Sequence, residues 1–284
     1  MVMSMRRRTA AQAAAPGAAG GRVPYAVGGA ASDLERGCIS SLERWGAQHG
    51  MSPATSAEFA SGWRSNAYSR GNILFYQGNE PFGLFFICSG RVKLVRAERD
   101  GRRQIVRIVY GPDFVGERAL IARQPYAATA EVMTEARIGM IDSARFFKLW
   151  LERPELPRAL ARHLASHLGT ADGLAADMAL HTIRERLAKV IAHEAESAAR
   201  PGEAILLTES RQELAELLGT SPEVVSRTLK EMRGRRLIAL EGSRVRVLDA
   251  GRLRAAAGLP ARPLDFYPAS AGRPGAALKS RRGP

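Results

Sequence analysis

Residues 207–247 read LTESRQELAELLGTSPEVVSRTLKEMRGRRLIALEGSRVRV, and this stretch decides the fold of the C-terminal part of the chain. Ser210 and Glu213 have the three-residue spacing of a capping box, which predicts that a helix begins at this serine. Leucines follow at helical spacing, and Gly219 lies where helices commonly end with one residue in the left-handed conformation. A first short helix is therefore expected between Ser210 and Gly219.

A second helix is predicted directly after this turn. Thr220 or Ser221 can cap it, and Pro222 near its first position has no N–H that would need a partner. One face of the helix is apolar and is expected to be buried, with Val225, Leu229 and Met232. The opposite face, near the helix start, is polar and carries Glu223, Ser226, Arg227 and Lys230.

The two helices have the pattern of a helix–turn–helix, in which the start of the second helix enters the major groove of DNA. Residues 226–246 carry seven Lys or Arg against two acids, a net charge of +5 that favours contact with phosphates. The predicted partner is therefore double-stranded DNA. The residues expected to read base edges are Glu223, Ser226 and Arg227. The residues expected to contact phosphates are Arg211, Ser221 and Lys230.

Two other interpretations of this segment fit less well. A pair of surface helices with a solvated charged face would not explain the capping box, the tight turn and the basic hairpin together. A protein that binds RNA or single strands would stack bases on aromatic side chains. Aromatic residues are only 6% of the chain, however, and none lies on the second helix.

The formal net charge of +14 is concentrated at the two ends of the chain. Residues 1–30 carry four Arg and no acid, and residues 251–284 carry seven Lys or Arg and one Asp. Both ends are rich in Ala, Gly and Pro, which predicts disordered tails over residues 1–30 and 254–284. The N-terminal tail lacks the apolar core of a secretory signal, and the chain has no 18-residue apolar run. We therefore expect a cytoplasmic protein that does not cross a membrane.

The two cysteines lie far apart in the sequence and in different contexts. Cys88 is part of an apolar run and is expected to be a buried small hydrophobe. Two cysteines cannot supply the four thiolates of an iron–sulfur cluster, and they suggest no disulfide framework. A redox role for Cys38 stays open.

The part of the chain before the long predicted helix is expected to be all-β. Apolar runs of strand length cover residues 73–76, 84–88, 92–95, 104–109, 130–133 and 138–141. Ser89-Gly90 and Asp100-Gly101 have the composition of hairpin turns. Repeated short strands with turns at this spacing indicate a sandwich or a barrel.

A long helix is predicted over residues 154–180. Its apolar residues alternate by four and three, the spacing of a helix-pairing seam, at Leu164, Leu168, Ala171, Ala175 and Met178. The same stripe could instead pack on the β domain. A homodimer through this seam is nevertheless expected, because helix–turn–helix proteins usually read two half-sites with a two-fold dimer.

A β domain, a long helix and a winged helix–turn–helix in this order resemble the CRP/FNR superfamily of transcriptional regulators, over roughly residues 63–253. Residues 104–117, QIVRIVYGPDFVGE, resemble the run that enters the family's effector cassette. Residues 184–190, RERLAKV, are similar to the helix that precedes its DNA-binding unit. The motif Glu223-Val-Val-Ser226-Arg227 resembles the Glu-x-x-Ser-Arg recognition motif of the FNR-like branch, which includes FixK.

The resemblance implies an α+β architecture. Its parts are an effector domain over 31–153, with N-terminal helices and a cyclic-nucleotide-binding-like β-roll, a dimerisation helix over 154–180 and a winged helix–turn–helix over 181–253. It also implies a transcriptional activator that works with RNA polymerase. The expected operator is a palindrome of the type TTGAT, four bases and ATCAA, bound by the homodimer.

The effector cassette departs from the members that bind cyclic nucleotides. Those members hold the phosphate with an Arg-Ser pair about ten residues beyond the Gly-Glu, which is Gly116-Glu117 here. Tyr126 and Ala127 stand at the Arg-Ser positions, so bidentate pairing with a phosphate is lost. The Thr-Ser pair that holds adenine corresponds to Ala-Asp at 171–172, and the cysteine cluster of FNR is absent. We expect operator binding without cyclic AMP, an iron–sulfur cluster or any other cofactor, and the effector stays unknown. The alternative is a cyclic-nucleotide- or haem-responsive regulator of the same fold.

Few other residues suggest chemistry. His163 and His167 have a helical spacing that can hold a metal, but the sequence shows no third ligand nearby, so no metal site is predicted. His181 falls at the predicted hinge before the DNA-binding unit, where either a pH response or a structural role is open. Asp113 is expected in a turn and Glu117 as a cap of backbone N–H groups. No catalytic motif occurs, and we predict neither catalytic residues nor an enzyme.

Overall fold

The computed structural model describes residues 33–197, 205–206, 210–241 and 244–259. The predicted N-terminal tail, and the predicted C-terminal tail beyond residue 259, lie outside the described residues. Two helices come first, α1 (Asp33–Gln48) and α2 (Pro53–Ser61). None of the helices in these ranges is long and apolar enough to cross a membrane.

Eight strands and one short helix follow. They are β1 (Arg64–Tyr68), β2 (Ile73–Phe75), β3 (Gly83–Ser89), β4 (Arg91–Ala97), β5 (Arg103–Tyr110), β6 (Asp113–Val115), α3 (Glu117–Ala122), β7 (Thr129–Val132) and β8 (Ala136–Asp142). They form two antiparallel sheets of four strands, with the orders β1-β8-β3-β6 and β2-β7-β4-β5. This is the β-roll that the resemblance implies.

The side chains of β3 alternate between two cores. Phe85 and Ile87 point between the two sheets, where they share a core with residues of β2, β4 and β7. Leu84 and Phe86 point the other way and pack against the N-terminal helices and the helices that follow the β-roll. Because both faces of this strand are buried, its sequence is a continuous apolar run and not an alternating one.

The structure differs from the expectations for the β-roll in two turns and in two strands that were not predicted. Ser89-Gly90 is not a hairpin turn, since β3 and β4 lie in different sheets and the chain passes from one sheet to the other between them. Gly90 has φ +94°, and a Cβ there would lie 2.6 Å from the Cβ of Ala136. Strands β1 and β6 were not predicted, because β1 has no apolar run and β6 has three residues. Asp113 begins β6 and does not lie in a turn.

The expectation that the cysteines are unpaired is wrong. Cys38 of α1 and Cys88 of β3 form a disulfide across 50 residues, with a Cα–Cα distance of 5.1 Å. Cys38 is buried and Cys88 is half-buried. The pairing arises because α1 packs on the face of the sheet that contains β3, a long-range contact that cysteine spacing does not reveal.

Helix α4 (Ser143–Glu152) leads into the long helix α5 (Glu155–Leu180). Only the first half of α5 packs on the β-roll, through Leu156, Ala159, Leu160 and His163. In the second half, Leu168 is 63% exposed and Met178 is 41% exposed. Of the other predicted seam residues, Leu164 is half-buried, and Ala171 and Ala175 are exposed. The stripe is therefore not covered by the β-roll beyond Leu164.

The C-terminal domain has the predicted helix–turn–helix and hairpin. Its elements are α6 (Ile183–Ser197), β9 (Ile205–Leu206), α7 (Arg211–Leu218), α8 (Pro222–Gly234), β10 (Ile238–Glu241), β11 (Arg244–Val247) and α9 (Ala250–Ala256). The three strands form an antiparallel sheet in the order β10-β11-β9. The domain continues past residue 253, because Ala257 is fully buried in its core.

Candidate DNA-binding surface and effector cassette

Local hydrogen bonds define the first helix of the helix–turn–helix, α7. The hydroxyl of Ser210 accepts from the N–H of Glu213 at 3.1 Å, and the N–H of Ser210 donates to the Glu213 carboxylate at 2.8 Å. Gly219 ends the helix with φ +63°, in the left-handed region. These contacts confirm the predicted capping box and the predicted stop.

The second helix, α8, buries one face and presents the other. Ser221 is the N-cap, and its hydroxyl accepts from the N–H of Val224 at 3.5 Å. The predicted apolar stripe is confirmed, since Val225, Leu229 and Met232 are at most 1% exposed.

We define the recognition face as Glu223, Ser226, Arg227 and Lys230. Glu223, Arg227 and Lys230 are exposed, and Ser226 is half-buried. A hydrogen bond from the Ser221 hydroxyl lowers the pKa of Glu223, so this carboxylate is charged at neutral pH. Of the residues expected at phosphates, Ser221 is exposed and Arg211 is half-buried at the start of α7. The recognition face is therefore open to a partner and carries both signs of charge.

Helix α7 is docked on the β-roll through a buried group of charges. Lys93 of β4 lies 2.8 Å from the Glu213 carboxylate and 3.0 Å from that of Glu131. Arg70 lies 2.8 Å from the other oxygen of Glu213. Lys93 and Glu213 are 4% and 7% exposed, so their charges are largely removed from water.

This interdomain contact was not predicted from the sequence. Its only sequence signal is a lysine inside the apolar run of β4, where a charge is rarely buried without a partner. A second contact joins the same two domains, because Tyr110 donates to Glu194 of α6 at 2.8 Å. The DNA-binding domain is thus held on the sheet by hydrogen bonds from two adjacent strands, β4 and β5.

The predicted effector cassette is packed with side chains. The Tyr126 ring is 2% exposed and stacks on Phe75 with 3.8 Å between ring centroids. Its hydroxyl donates to the carbonyl of Gly83 at 3.0 Å, and burial raises the pKa of this phenol. Gly116 has φ +92°, and Ala127 is exposed. An aromatic ring therefore lies at the position that the resemblance assigns to the phosphate-binding arginine.

Glu117 does not cap backbone N–H groups as expected. It is 3% exposed, and the Arg107 guanidinium donates to its carboxylate at 3.2 Å. Burial alone would raise the pKa of Glu117, but His167 and Arg107 lower it below the usual value. Glu117 is the first residue of α3, but no side chain caps this helix, and the Glu117 carboxylate belongs to a buried charge cluster instead.

The same cluster contains a carboxylate beside His163 and His167 that their spacing in the sequence did not reveal. Asp113 lies 3.1 Å from His163 Nε2 and 3.4 Å from His167 Nε2. Burial alone would raise the pKa of Asp113, but the two imidazoles and the guanidinium of Arg107 hold it well below its usual range. The three residues come together because the first half of α5 packs beside β6.

Comparisons with known proteins agree with this architecture. Residues 65–153 match the cyclic nucleotide-binding domain family, and residues 185–256 match the Crp-like helix-turn-helix domain family. A CRP-like cAMP-activated global transcriptional regulator of Mycobacterium tuberculosis is 30% identical over 215 residues, which cover 75% of this chain and 96% of the relative.

Solved structures show the same arrangement of domains. A CRP-family transcriptional regulator from Thermus thermophilus is 28% identical, with a TM-score of 0.59 over 69% of this chain and 100% of that one. FixK2 from Bradyrhizobium japonicum shares the fold, with 20% identity and a TM-score of 0.61 over 68% of this chain and 96% of that one. The relatives are transcriptional regulators and not enzymes. The chain belongs to the CRP/FNR family of DNA-binding transcriptional regulators.

Proposed function

We propose that this regulator binds, as a homodimer, a palindrome of the FNR type, TTGAT, four bases and ATCAA. The observation that carries the proposal is the exposed recognition face of α8, with a glutamate and an arginine four residues apart above a buried apolar stripe. In a helix–turn–helix this part of the second helix lies in the major groove. Proteins of the cyclic-AMP branch have glycine where this chain has Ser226. The Glu-x-x-Ser-Arg motif therefore supports an FNR-like operator over an operator of the cyclic-AMP type.

Each residue of the recognition face has a role that follows from its chemistry. Arg227 can donate two hydrogen bonds to O6 and N7 of one guanine. Glu223 can accept from a cytosine amino group or orient the Arg227 guanidinium. The short Ser226 side chain can lie against a thymine methyl group. Ser221, Arg211 and Lys230 are expected to contact phosphates, which set the register without reading sequence.

Replacing Arg227 with Ala is expected to weaken binding to the palindrome by about 1–3 kcal/mol, roughly 5- to 150-fold. The loss is confined to sites with the cognate guanine, because only that base pair loses its bidentate donor. Gel-shift titrations on the palindrome and on versions with that guanine replaced measure the effect.

Lys230→Ala is the matched control for this experiment, since both side chains are exposed on the same helix. This variant is expected to bind all duplexes more weakly by a similar factor. The slope of log affinity against log salt concentration is expected to be smaller by roughly one unit. If Arg227→Ala kept full discrimination at the guanine, the recognition face would be misassigned.

We infer further that operator binding does not need cyclic AMP. The buried Tyr126 ring supports this, because an aromatic side chain cannot pair with a phosphate as a guanidinium does. The long helix α5 supports it as well, since Ala171 and Asp172 stand where the family holds adenine with Thr and Ser, and both of those hydroxyl groups are missing. The rival proposal, a cyclic-AMP-responsive regulator, is favoured by the Mycobacterium tuberculosis relative, which is a cAMP-activated regulator.

Isothermal titration calorimetry with cyclic AMP decides between these two proposals. We expect no heat of binding for this chain at ligand concentrations that saturate the Mycobacterium tuberculosis relative, which is the positive control. We also expect the same operator affinity with and without the nucleotide. Micromolar binding of cyclic AMP to this chain would favour the rival.

Activation of transcription in the cytoplasm, in contact with RNA polymerase, is the remaining part of the proposal. It rests on family membership and on the expected placement of the palindrome near promoters. Run-off transcription with purified RNA polymerase tests it, and the transcript is expected to increase when the regulator is added. A decrease would instead identify a repressor at that promoter.

A further inference from the structure

We propose that Asp113, His163 and His167 form a binding site for one divalent first-row transition-metal ion. One nitrogen of each imidazole and one oxygen of the carboxylate lie within 4.8 Å of one another. Two imidazoles and one carboxylate form a ligand set of catalytic zinc sites and of non-haem iron sites. This site is separate from the DNA-reading residues, because its three side chains belong to the effector domain and to α5.

The geometry suits an ion at the centre of these atoms. His163 Nε2 is 3.1 Å from one oxygen of Asp113, and His167 Nε2 is 3.4 Å from the other. Ligands at the usual distance of about 2.0–2.1 Å from a tetrahedral metal lie about 3.3 Å apart, so modest side-chain movements would bring one nitrogen of each ring and one carboxylate oxygen to these distances. His163 and His167 are four residues apart on α5, so they lie on one face of the helix.

A buried nitrogen without an aligned hydrogen bond is the second observation. The side chain of His163 is 6% exposed, and its Nε2 makes no well-aligned hydrogen bond within the described residues, although an oxygen of Asp113 lies 3.1 Å away. The ring lies against Trp45 and Phe114, with centroids 5.5 and 5.7 Å away. A buried polar atom costs free energy unless it has a well-aligned partner, and a metal ion would supply one.

The residues around these ligands have the arrangement of an outer coordination shell. Glu117 lies 3.7 Å from Nδ1 of His167, a buried nitrogen that makes no hydrogen bond within the described residues, so a small movement would let this carboxylate accept from it. A carboxylate behind a ligating histidine orients the ring and makes it a stronger ligand. The N–H of Phe114 donates to Asp113 at 2.7 Å, and Arg107 donates to the same carboxylate at 3.3 Å. Asp113, Glu117 and Arg107 together carry a net charge of −1, and this remaining negative charge attracts a cation.

His49 borders the site from a different element. Its ring centroid is 5.7 Å from that of His163, and its Nδ1 is 2.8 Å from the carbonyl of Trp45. Three of the five histidines in the chain therefore converge on one place. The set of nitrogen and carboxylate donors favours Zn²⁺, Fe²⁺ or Co²⁺ over Mg²⁺ and Ca²⁺, which prefer oxygen ligands alone.

The test uses untagged full-length protein that has been treated with a chelator and then dialysed. Titration with Co²⁺, followed by visible absorption, is expected to saturate at one ion per chain, and Zn²⁺ is expected to displace the cobalt. The variants His163→Gln and His167→Gln are each expected to lose more than about 100-fold in affinity, beyond the 10- to 100-fold typical of outer-shell changes. His193→Gln is the matched control, because this histidine is exposed on α6, and it is expected to bind like the wild type.

A second measurement does not depend on whether the variants fold. Saturating Zn²⁺ is expected to raise the melting temperature of the wild-type protein, whereas the same concentration of Mg²⁺ leaves it unchanged. The proposal is overturned if cobalt does not saturate, if the wild type gains no thermal stability, or if His163→Gln and His167→Gln fold and bind as tightly as His193→Gln. In those cases Asp113 and the histidines are an ion-pair cluster with Arg107.

Discussion

Glutamate at Leu168 and Ala175 is expected to convert the protein into monomers that no longer bind the palindrome specifically. Both residues are exposed on α5, seven positions apart on the proposed seam, so the substitutions leave the fold of one chain intact. In a dimer they would place four negative charges against an apolar partner face. A monomer reaches only one half-site, so affinity falls towards non-specific binding, which is typically weaker by about 10³–10⁷-fold.

Analytical ultracentrifugation and gel shifts measure the two consequences separately. Leu151→Glu is the control, because this residue of α4 is 83% exposed and lies off the proposed seam. This variant is expected to remain dimeric and to bind like the wild type. Dimers that persist in the Leu168→Glu, Ala175→Glu variant would show that the protein pairs through another surface.

Replacing Lys93 with Met is expected to destabilise the protein by about 3–5 kcal/mol, the usual cost of removing one partner from a buried ion pair. The carboxylates of Glu131 and Glu213 would then face each other without the ammonium that separates them. Urea denaturation measures the change. It also shows whether the effector domain and the helix–turn–helix unfold together in the wild type and separately in the variant.

Arg103→Met is the control at the edge of the same interface. Its side chain is 45% exposed and lies 3.1 Å from Glu131 and 3.5 Å from Glu216, and ion pairs of such exposed side chains contribute at most about 1 kcal/mol. Equal losses in the two variants would contradict a special role for the buried lysine.

The pH dependence of this contact follows from Glu213. Burial alone would raise its pKa, but hydrogen bonds from Lys93 and from the N–H of Ser210, together with the charge of Arg70, lower it below the ordinary value. A carboxylate with a depressed pKa stabilises the folded state above its unfolded pKa of about 4.3, and this contribution is lost on acidification. Below about pH 4, the free energy of unfolding of the wild type is therefore expected to fall more steeply with decreasing pH than that of Glu213→Gln.

The helix–turn–helix was predicted from sequence because its signals are local. Ser210 bonds with a residue three positions away, and Gly219 and Pro222 act through their own backbone geometry. Such interactions need no knowledge of the rest of the fold, so the helix ends and the open face of α8 follow from residue order. The six predicted strands of the β-roll were found for a similar reason, since each is an apolar run bounded by turn residues.

The sequence by itself determined the order of domains, the helix ends and the side chains of the recognition face. The tertiary structure alone decided which distant residues meet: Cys38 with Cys88, Lys93 with Glu213, and Asp113 with the two histidines of α5. The physical reason is that periodicity reveals which face of an element is buried but not which element covers it. A buried lysine or aspartate has its partner far away along the chain, and only the folded chain brings the two charges together.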